Sequence, residues 1–302
     1  MTLFGTRTTL SDALRQYQDL FMASRNLAPR TRKEYTHDIE HLIVFLRDNG
    51  GVGDPVAVEK KHLEAYLAFL DQRGFSGNTR RRKVASIRSF FAFLEESRII
   101  RFSPAGKLTA PRREYRQPRV LSEAEYRRLR LACAQETRDA AIVELLLQTG
   151  IRLAELAHLS LEDIELPARV ARDEGSVGNV HILGKGRKDR TVTLNWKVCR
   201  ALKAYLAVRP EVADGRLFIT KFGRGMSPRA IEYILAKYLR EAGIPNASVH
   251  TIRHTFATHM VRKGTKLDVV RQALGHESLQ TTSVYVDLAR DVMDRELQMN
   301  AL

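Results

Sequence analysis

Residues 102–120 divide the sequence and restrict the folds that it can adopt. This stretch has no regular hydrophobic period, and it places prolines among arginines: Pro104, Pro111, Pro118, Arg112, Arg113, Arg116 and Arg119. Such a stretch favours an extended linker over a helix or a strand, because proline removes a backbone donor and restricts the residue before it. A chain of 302 residues has room for a separate core on each side. We therefore predict two domains, 1–105 and 121–302, joined by a basic linker at 106–120.

The first domain is predicted to be helical. Thr31 and Glu34 have the spacing of a capping box at the start of a helix over 31–48, and Asn49 and Gly50 end it. A later helix is expected to begin near Asn78 or Thr79. Its apolar positions recur at helical spacing: Val84, Ile87, Phe90, Phe91 and Leu94. Strand signals are absent from residues 10–101.

The second domain is predicted to combine helices with a small antiparallel sheet. Residues 180–183 and 191–194 alternate in polarity on either side of the glycine-containing turn 184–188, which is typical of a β-hairpin. Further along, Ser227 is expected to cap a helix that begins at Pro228. The fold class that follows is mainly α, with one small sheet in the second domain.

Charge and composition narrow the function. The formal net charge is +15 at pH 7 and the pI is about 10.1, so a polyanionic partner is expected, nucleic acid first and an anionic membrane surface second. The sequence shows neither an apolar run long enough to cross a bilayer nor a signal peptide at its N-terminus, so we expect a cytoplasmic, nucleoid-associated protein. Two cysteines are too few for a disulfide framework.

A run of four cations begins the predicted helix near residue 79. Arg80, Arg81, Arg82 and Lys83 lie where the helix dipole already places partial positive charge. A DNA phosphate would neutralise this unfavourable arrangement, so we predict that these four residues bind the DNA backbone. The alternative is a solvated basic turn, since exposed charges are screened.

Six residues of the second domain stand in a characteristic order. Arg152 follows an apolar helix and Lys185 lies in the hairpin turn, while the other four cluster near the C-terminus: His250, Arg253, His276 and Tyr285. Their order, neighbouring residues and approximate spacings resemble those of the tyrosine recombinases, the family of phage-type integrases and Xer proteins. The resemblance extends over nearly the whole chain.

The resemblance implies a helical, SAM-like core-binding domain followed by a catalytic domain. It also implies that Glu155 orients an active-site arginine or histidine, although a surface ion pair is the alternative. The tail, residues 286–302, would dock on a neighbouring subunit in a homo- or hetero-tetramer; packing on its own domain is the alternative. The implied partner is double-stranded DNA with inverted-repeat core sites.

The residue types suit phosphoryl transfer. Charge accumulates on the non-bridging phosphate oxygens in the transition state, and the guanidiniums of Arg152 and Arg253 stay charged and match phosphate geometry. Tyr285 would attack phosphorus, forming a 3′-phosphotyrosyl bond and releasing a 5′-hydroxyl. Because that bond retains the energy of the backbone, no ATP is required. No cluster of carboxylates or zinc-binding pattern is present, so we expect no metal and no cofactor.

Proton transfers need further groups. His250 is expected to accept or share the tyrosine proton, and His276 to donate a hydrogen bond to a phosphate oxygen. Lys185 is the predicted general acid for the departing oxygen. His158 and His259 are interpreted as structural, and the role of His254 is left open.

Further cations are candidates for DNA contact. Arg187 and Lys188 share the hairpin turn, and the outer face of the helix after Ser227 carries Arg229, Lys237 and Arg240. The alternative for Arg187 and Lys188 is that they belong to an exposed turn without a role in DNA binding.

The leading hypothesis is a site-specific recombinase, Xer-like or acting in transposon or plasmid resolution or integration. The loop 167–178 looks longer than the matching loop in simple Xer proteins, which argues against equating this chain with the pair of Xer proteins that resolves chromosome dimers. A type IB-like topoisomerase and a DNA-binding protein without catalysis remain as alternatives.

Overall fold

The fold is described from a computed structural model, which describes residues 8–112, 117–172, 177–183, 189–276 and 280–289, apart from the side chains at 280 and 281. The chain divides into two compact units, Met1–Arg116 and Gln117–Leu302. This division falls inside the predicted linker 106–120. Each unit has a hydrophobic core of its own. No helix among the described residues is long and apolar enough to span a membrane.

The first unit is a bundle of helices. They are α1 (Leu10–Gln16), continued by a π-helical turn (Tyr17–Met22), α2 (Pro29–Gly50), a 3-10 turn (Pro55–Ala57), α3 (Lys60–Gln72) and α4 (Gly77–Glu96). Tyr17 and Phe90 lie at its centre with both rings fully buried. The ring of Tyr17 stacks on Phe21 at 5.2 Å between centroids, meets Phe90 edge-on at 5.4 Å and packs at a tilt against Phe93 at 5.5 Å. The prediction of a helical first domain is confirmed.

Two predicted helix starts need correction. Helix α2 begins at Pro29 after Ala28, so Thr31 lies inside the helix and forms no capping box with Glu34. Proline is well suited to the first helical position, because its missing N–H would have had no partner there. Helix α4 begins one residue earlier than expected, and the Ser76 hydroxyl accepts a hydrogen bond from the Thr79 amide at 3.3 Å.

The first part of the predicted linker packs on the first unit. Leu108 is buried in that unit's core, and its carbonyl accepts a hydrogen bond from Arg88 Nη2 at 2.5 Å. The Pro111 carbonyl accepts one from Arg81 Nη1 at 2.6 Å. These contacts make the chain up to residue 112 a part of the first unit.

The second unit packs helices around a small sheet. Its helices are α5 (Glu123–Ala132), α6 (Thr137–Thr149), α7 (Leu153–His158), α8 (Trp196–Leu206), α9 (Pro228–Glu241), α10 (Val249–Arg262), α11 (Leu267–Leu274) and α12 (Gln280–Leu288), with a 3-10 turn at Leu161–Asp163. Ser227 caps α9 through a hydrogen bond from the Ala230 amide, as predicted.

The sheet has the antiparallel order β1 (Ile164–Glu165), β2 (Gly178–Leu183) and β3 (Asp189–Leu194). Val180 pairs with Val192, and both side chains are buried on the inner face. The predicted antiparallel pairing of 180–183 with 191–194 is therefore confirmed, whereas the turn 184–188 lies outside the described residues. The strand β1 was not predicted, because two residues are too short to show a polarity pattern.

Two glycines bring three helices close together. Gly150 ends α6 with φ +58°, and a Cβ atom there would lie 2.5 Å from Cδ1 of Phe256 in α10. Gly275 ends α11 with φ +64°. Both positions require the left-handed conformation that glycine adopts without strain. The ends of α6 and α11 thereby lie close to α10, where the candidate site is found.

Candidate active site

Arg253 is the most buried cation of the predicted site. It lies on α10 and is 7% exposed. Its Nη1 donates to the Gly150 carbonyl at 2.7 Å and its Nη2 to the Leu274 carbonyl at 2.6 Å. Burial, helped by the charge of Arg152, lowers the pKa of Arg253 to about 10. The guanidinium is thus held in a fixed orientation and stays charged at neutral pH.

Arg152 lies just before α7 and has a side chain that is 42% exposed. Its Nη2 donates to the Gly275 carbonyl at 2.6 Å and its Nη1 to Glu155 Oε1 at 2.9 Å. The two arginines that the sequence selected therefore reach adjacent carbonyls at the end of α11, and the charge of Arg152 is close enough to act on the pKa of Arg253.

Glu155 connects Arg152 to a third arginine that the sequence did not reveal. Arg190, on β3, donates to Oε1 and Oε2 of Glu155 at 3.0 and 2.8 Å. Burial alone would raise the pKa of Glu155, but the hydrogen bonds from Arg190 and Arg152 outweigh it and lower that pKa. Glu155 is thus ionised and holds two guanidiniums, consistent with the orienting role that the resemblance implied.

The C-terminal end of α11 gathers all three arginines. Arg190 Nε donates to the Ala273 carbonyl at 2.9 Å, so three successive carbonyls, at positions 273, 274 and 275, each accept from a different guanidinium. These carbonyls carry the negative end of the helix dipole, which attracts cations. A Cβ atom at Gly275 would lie 2.9 Å from Arg190 Nη1 and 3.1 Å from Arg152 Nη1. Glycine at this position permits the close approach.

Tyr285 lies on α12 with 2% of its surface exposed, packed against Phe256, Val270 and Leu274. Its hydroxyl is 3.1 Å from Nδ1 of His254. Burial raises the pKa of the Tyr285 phenol, and the charge of Arg253 opposes part of that rise. The positive charge of Arg253 therefore favours the ionised phenol, which is the form that a tyrosine nucleophile needs.

His276 packs against the tyrosine and is affected by the charges of the arginines. Its ring stacks on that of Tyr285 with centroids 6.2 Å apart and planes at 15°, and its Nδ1 is 3.0 Å from Thr282 Oγ1. Burial and the charges of Arg253 and Arg152 lower the pKa of His276 to about 4. The imidazole is neutral at pH 7, and a neutral imidazole still donates one hydrogen bond.

The histidine of α10 that contacts the Tyr285 hydroxyl in this structure is His254 and not His250. The residue next to the tyrosine hydroxyl is His254, whose role the sequence left open, whereas His250 is exposed one helical turn earlier. The helical spacing of four residues would have allowed either to face α12, and sequence alone carried no signal that separates them. The role of His250 in proton transfer stays a prediction.

Several predicted residues lie outside the described part of the chain. They are Lys185, Arg187 and Lys188, together with 173–176 of the long loop and 290–302 of the tail. Of the histidines interpreted as structural, His158 donates from Nδ1 to the Ala154 carbonyl of its own helix, and His259 is exposed near the end of α10.

The basic run at the start of α4 is held by carboxylates of the first unit. Lys83 is 3% exposed, and its Nζ lies 3.0 Å from Oδ1 of Asp38, which is fully buried on α2. Arg82 Nη1 lies 2.5 Å from Oδ2 of the same carboxylate, and the Ser86 hydroxyl donates to it at 2.8 Å. Burial excludes Lys83 as a phosphate contact in this conformation, which corrects its place in the predicted DNA-binding set.

The neighbouring cations are more accessible. Arg80 pairs with Asp71 at 2.8 Å through a side chain that is 20% exposed, while the exposed Arg81 reaches the Pro111 carbonyl. Their positive charge therefore has partners within the protein, and the DNA phosphate that the sequence seemed to require is not needed to explain the run. Contact of these arginines with DNA remains a prediction.

The outer face of α9 is accessible as predicted. Arg229 and Arg240 are exposed, and Lys237 lies 4.0 Å from Glu241 with its side chain 45% exposed. Such a weak exposed pair leaves the lysine free to exchange partners. Binding of this face to DNA is not tested by the geometry.

Comparison with known proteins decides the family. The phage integrase family matches residues 119–291, and the family's N-terminal SAM-like domain matches residues 14–97. The chain belongs to the phage integrase family. The tyrosine recombinase XerC of Syntrophus aciditrophicus (strain SB) is 33% identical over 290 residues, which cover 89% of this chain and 90% of that protein. The chain is thus a site-specific tyrosine recombinase, a member of a family that cleaves and rejoins DNA.

Solved structures of the family share the fold. The crystal structure of XerH site-specific recombinase bound to palindromic difH substrate in a post-cleavage complex matches with a TM-score of 0.76 and 19% identity, over 94% of this chain and 83% of that one. A lambda integrase tetramer bound to a Holliday junction matches with a TM-score of 0.75 and 17% identity, over 93% and 78% of the two chains. The helical recombinase fold with its small sheet is therefore established for this chain.

Proposed function

We propose that this recombinase cuts one strand of double-stranded DNA at a time through attack of the Tyr285 hydroxyl on a backbone phosphorus. The attack forms a 3′-phosphotyrosyl bond and releases a 5′-hydroxyl. The observation that carries the proposal is the buried Tyr285 hydroxyl, which lies 3.1 Å from Nδ1 of His254 and feels the charge of Arg253, while Arg253 and Arg152 are anchored on adjacent carbonyls at the end of α11.

Each remaining group has a role in this reaction. Arg152 and Arg253 bind the non-bridging oxygens, where negative charge develops in the transition state. His276 donates a hydrogen bond to the same phosphate, and Lys185 protonates the departing 5′-oxygen. Tyr285 conserves the phosphodiester energy, so the reaction proceeds without ATP, and the arginine charge performs the task that a metal ion performs in other nucleases.

The DNA partner is a pair of sites with inverted-repeat cores, bound by four subunits. Support comes from the lambda integrase tetramer on a Holliday junction, whose fold this chain shares. The tail, residues 286–302, would join neighbouring subunits of a homo- or hetero-tetramer. The arginines of the cation run of the first unit, Arg80, Arg81 and Arg82, and the outer face of α9 would contact the DNA backbone. An Xer-like role in resolution, or integration of a transposon or plasmid, would place the protein in the cytoplasm with the nucleoid.

A trapped covalent complex tests the chemistry. A nicked suicide substrate loses the fragment that carries the 5′-hydroxyl, so wild-type protein should accumulate a covalent adduct in the presence of EDTA and without ATP. Mass spectrometry should locate the DNA on Tyr285. Tyr285→Phe should bind the same DNA with unchanged affinity and form no adduct. An adduct at another residue, or one that forms only with Mg²⁺, would overturn the proposal.

A plasmid that carries two copies of the cleaved DNA site distinguishes recombination from supercoil relaxation. Exchange products that reflect the orientation of the sites are expected. Supercoil relaxation without exchanged products would instead assign the chain the activity of a type IB-like topoisomerase. DNA binding without any covalent adduct would instead indicate a DNA-binding protein without catalytic activity.

A further inference from the structure

Thr282 is a fully buried polar residue on α12, about one helical turn before Tyr285. Its Oγ1 atom lies 3.0 Å from Nδ1 of His276. Among the hydrogen bonds of the described residues, this is the one contact that the Thr282 hydroxyl makes. A buried hydroxyl without an acceptor costs free energy, so the hydroxyl proton needs a partner. Nδ1 of His276 is the acceptor within reach.

This contact decides which ring nitrogen of His276 carries the proton. Burial and the charges of Arg253 and Arg152 lower the pKa of His276 to about 4, so the imidazole is neutral at pH 7. A neutral imidazole has one N–H, and its other nitrogen accepts a hydrogen bond. With the proton on Nδ1, the Thr282 hydroxyl would accept that N–H, and its own proton would have no acceptor among the described groups. The hydroxyl therefore donates to Nδ1, which leaves the N–H at Nε2.

The rest of His276 is held in place by other contacts. Its amide donates to the Arg271 carbonyl at 3.0 Å, and Arg271 Nη1 donates to the His276 carbonyl at 3.3 Å. The ring stacks on that of Tyr285. Within the described part of the chain, Nε2 has no hydrogen-bond partner, and the residue is partly exposed. The single N–H of the ring is thus fixed in position and left for a ligand.

We propose that Thr282 is a positioning residue of this recombinase, which fixes His276 as the tautomer with its proton on Nε2. In that form His276 donates from Nε2 to a non-bridging oxygen of the DNA phosphate, where negative charge develops in the transition state. Because Thr282 and Tyr285 lie on the same helix, the packing of α12 places the nucleophile and orients the phosphate donor together. This inference rests on the proposed function, in which Tyr285 attacks the phosphate and His276 binds it.

The tautomer can be measured directly in the wild-type protein by nitrogen NMR of labelled histidine. A ring nitrogen that carries a proton has a chemical shift far from that of a nitrogen with a lone pair, and couplings to the ring protons identify each nitrogen. At pH 7 we expect the proton on Nε2 of His276, both in the free protein and in Tyr285→Phe bound to the uncleaved DNA site. The signal that disappears in His276→Ala assigns the residue. A proton on Nδ1 would overturn the inference.

A matched set of substitutions tests the role in cleavage. Thr282→Val removes the hydroxyl and keeps the shape of the side chain, whereas Thr282→Ser keeps the hydroxyl. Thr258→Val on α10 is the control, because the Thr258 hydroxyl is also buried but has no hydrogen-bond partner among the described residues. Single-turnover cleavage of the suicide substrate should fall about 10-fold or more in Thr282→Val and stay within about 3-fold of wild type in the other two.

All three variants should bind DNA as tightly as wild type, because Thr282 and Thr258 are buried. A wild-type cleavage rate in Thr282→Val would contradict the inference. So would a loss in Thr282→Ser or in Thr258→Val as large as the loss in Thr282→Val, since the effect would then not depend on the hydroxyl that contacts His276.

A double variant distinguishes positioning from a structural contribution. His276→Ala should lower the cleavage rate about 100-fold, since a donor to the phosphate is lost. Thr282→Val should add little further loss in the His276→Ala background, because it acts through the same side chain. Multiplied losses would show that Thr282 acts independently of His276, and the inference would be wrong. Should Thr282→Val fail to fold, the tautomer of the wild-type protein decides alone.

The two levels of the proposal fail in different ways. A covalent adduct at Tyr285 together with a proton on Nδ1 of His276 would refute this inference alone. The absence of an adduct at Tyr285 would refute the proposed function.

Discussion

The two arginine-rich regions of the molecule differ in what neutralises them. At the start of α4, Arg80 and Arg82 pair with carboxylates and Lys83 is buried against Asp38. In the second unit, Glu155 accepts hydrogen bonds from two of the three guanidiniums, those of Arg152 and Arg190, whereas Arg253 donates to two backbone carbonyls. A carbonyl contributes only a partial charge, so the second cluster keeps most of its positive charge. A run of cations in the sequence therefore says less about DNA binding than the hydrogen-bond acceptors that those cations contact in the fold.

The largest effect expected from this difference is on catalysis. Arg253→Ala should lower the single-turnover cleavage rate by about 10³-fold, because a buried charge that stabilises the transition state is lost. The Gly150 and Leu274 carbonyls lose their donor as well, so Arg253→Lys serves as a control that keeps the charge without the guanidinium geometry. Quenched-flow cleavage assays provide the rates. Cleavage within tenfold of wild type in Arg253→Ala would contradict the assignment.

The next effect is on the stability of the first unit. Asp38→Asn leaves Lys83 buried without its ionic partner and should destabilise that unit by about 3 kcal/mol. Hydrogen exchange in α2 and α4 measures the loss, and fluorescence of Trp196, the single tryptophan of the sequence, monitors the second unit as an internal reference.

The matched control for Asp38 is Asp71→Asn. The Asp71 side chain is 64% exposed in its pair with Arg80, so its removal should change stability by less than about 0.5 kcal/mol. Equal losses in the two variants would show that burial of the Asp38 carboxylate has no energetic consequence.

A smaller effect is expected from the arginine that the sequence did not reveal. Arg190→Ala should slow cleavage about 10- to 100-fold and leave DNA affinity unchanged, because Glu155 would lose one of the two cations that hold it and Arg152 would lose its fixed orientation. Because both residues act through the same contact, Glu155→Gln should add little further loss in the double variant. Arg200→Ala on α8, an exposed arginine, is the control. Fully additive losses would show that Arg190 acts independently of Glu155.

The smallest effect concerns DNA binding by the basic run. Arg81→Ala should reduce the slope of log K against log salt by about 0.9, the value for one phosphate contact. Lys83→Met, which replaces a buried cation by an apolar chain of similar length, should leave the slope unchanged. Fluorescence anisotropy across a salt series measures both. A reduced slope for Lys83→Met would mean that this lysine leaves Asp38 when DNA binds.

Much of the architecture could be predicted from local patterns. Helical periodicity, the alternating polarity of the two paired strands and the Ser227-Pro228 start of α9 are local signals, and each corresponds to an observed element. The misassigned start of α2 arose because Thr31 and Glu34 have capping spacing, although the proline two residues earlier begins the helix. Local spacing alone cannot rank two possible starts.

The missed residues depend on contacts between distant parts of the chain. Arg190 meets Glu155 across 35 positions and Lys83 meets Asp38 across 45. His254 was separated from His250 only by the packing of α12 on α10. Each of these partnerships is set by tertiary packing, and the short patterns that identified Arg152, Arg253 and Tyr285 do not contain that information.

Three arginines bind the backbone carbonyls of residues 273–275, and this arrangement restricts which amino acids can occupy these positions in related sequences. Every amino acid supplies the same carbonyl oxygen, so replacing Ala273 by another helix-forming residue leaves the acceptor for Arg190 in place. Gly275 has no such freedom, since any side chain would collide with two guanidiniums. Among related sequences, the residue at position 273 should therefore vary widely, whereas position 275 should almost always be glycine. The backbone carbonyls at both positions nevertheless bind a guanidinium.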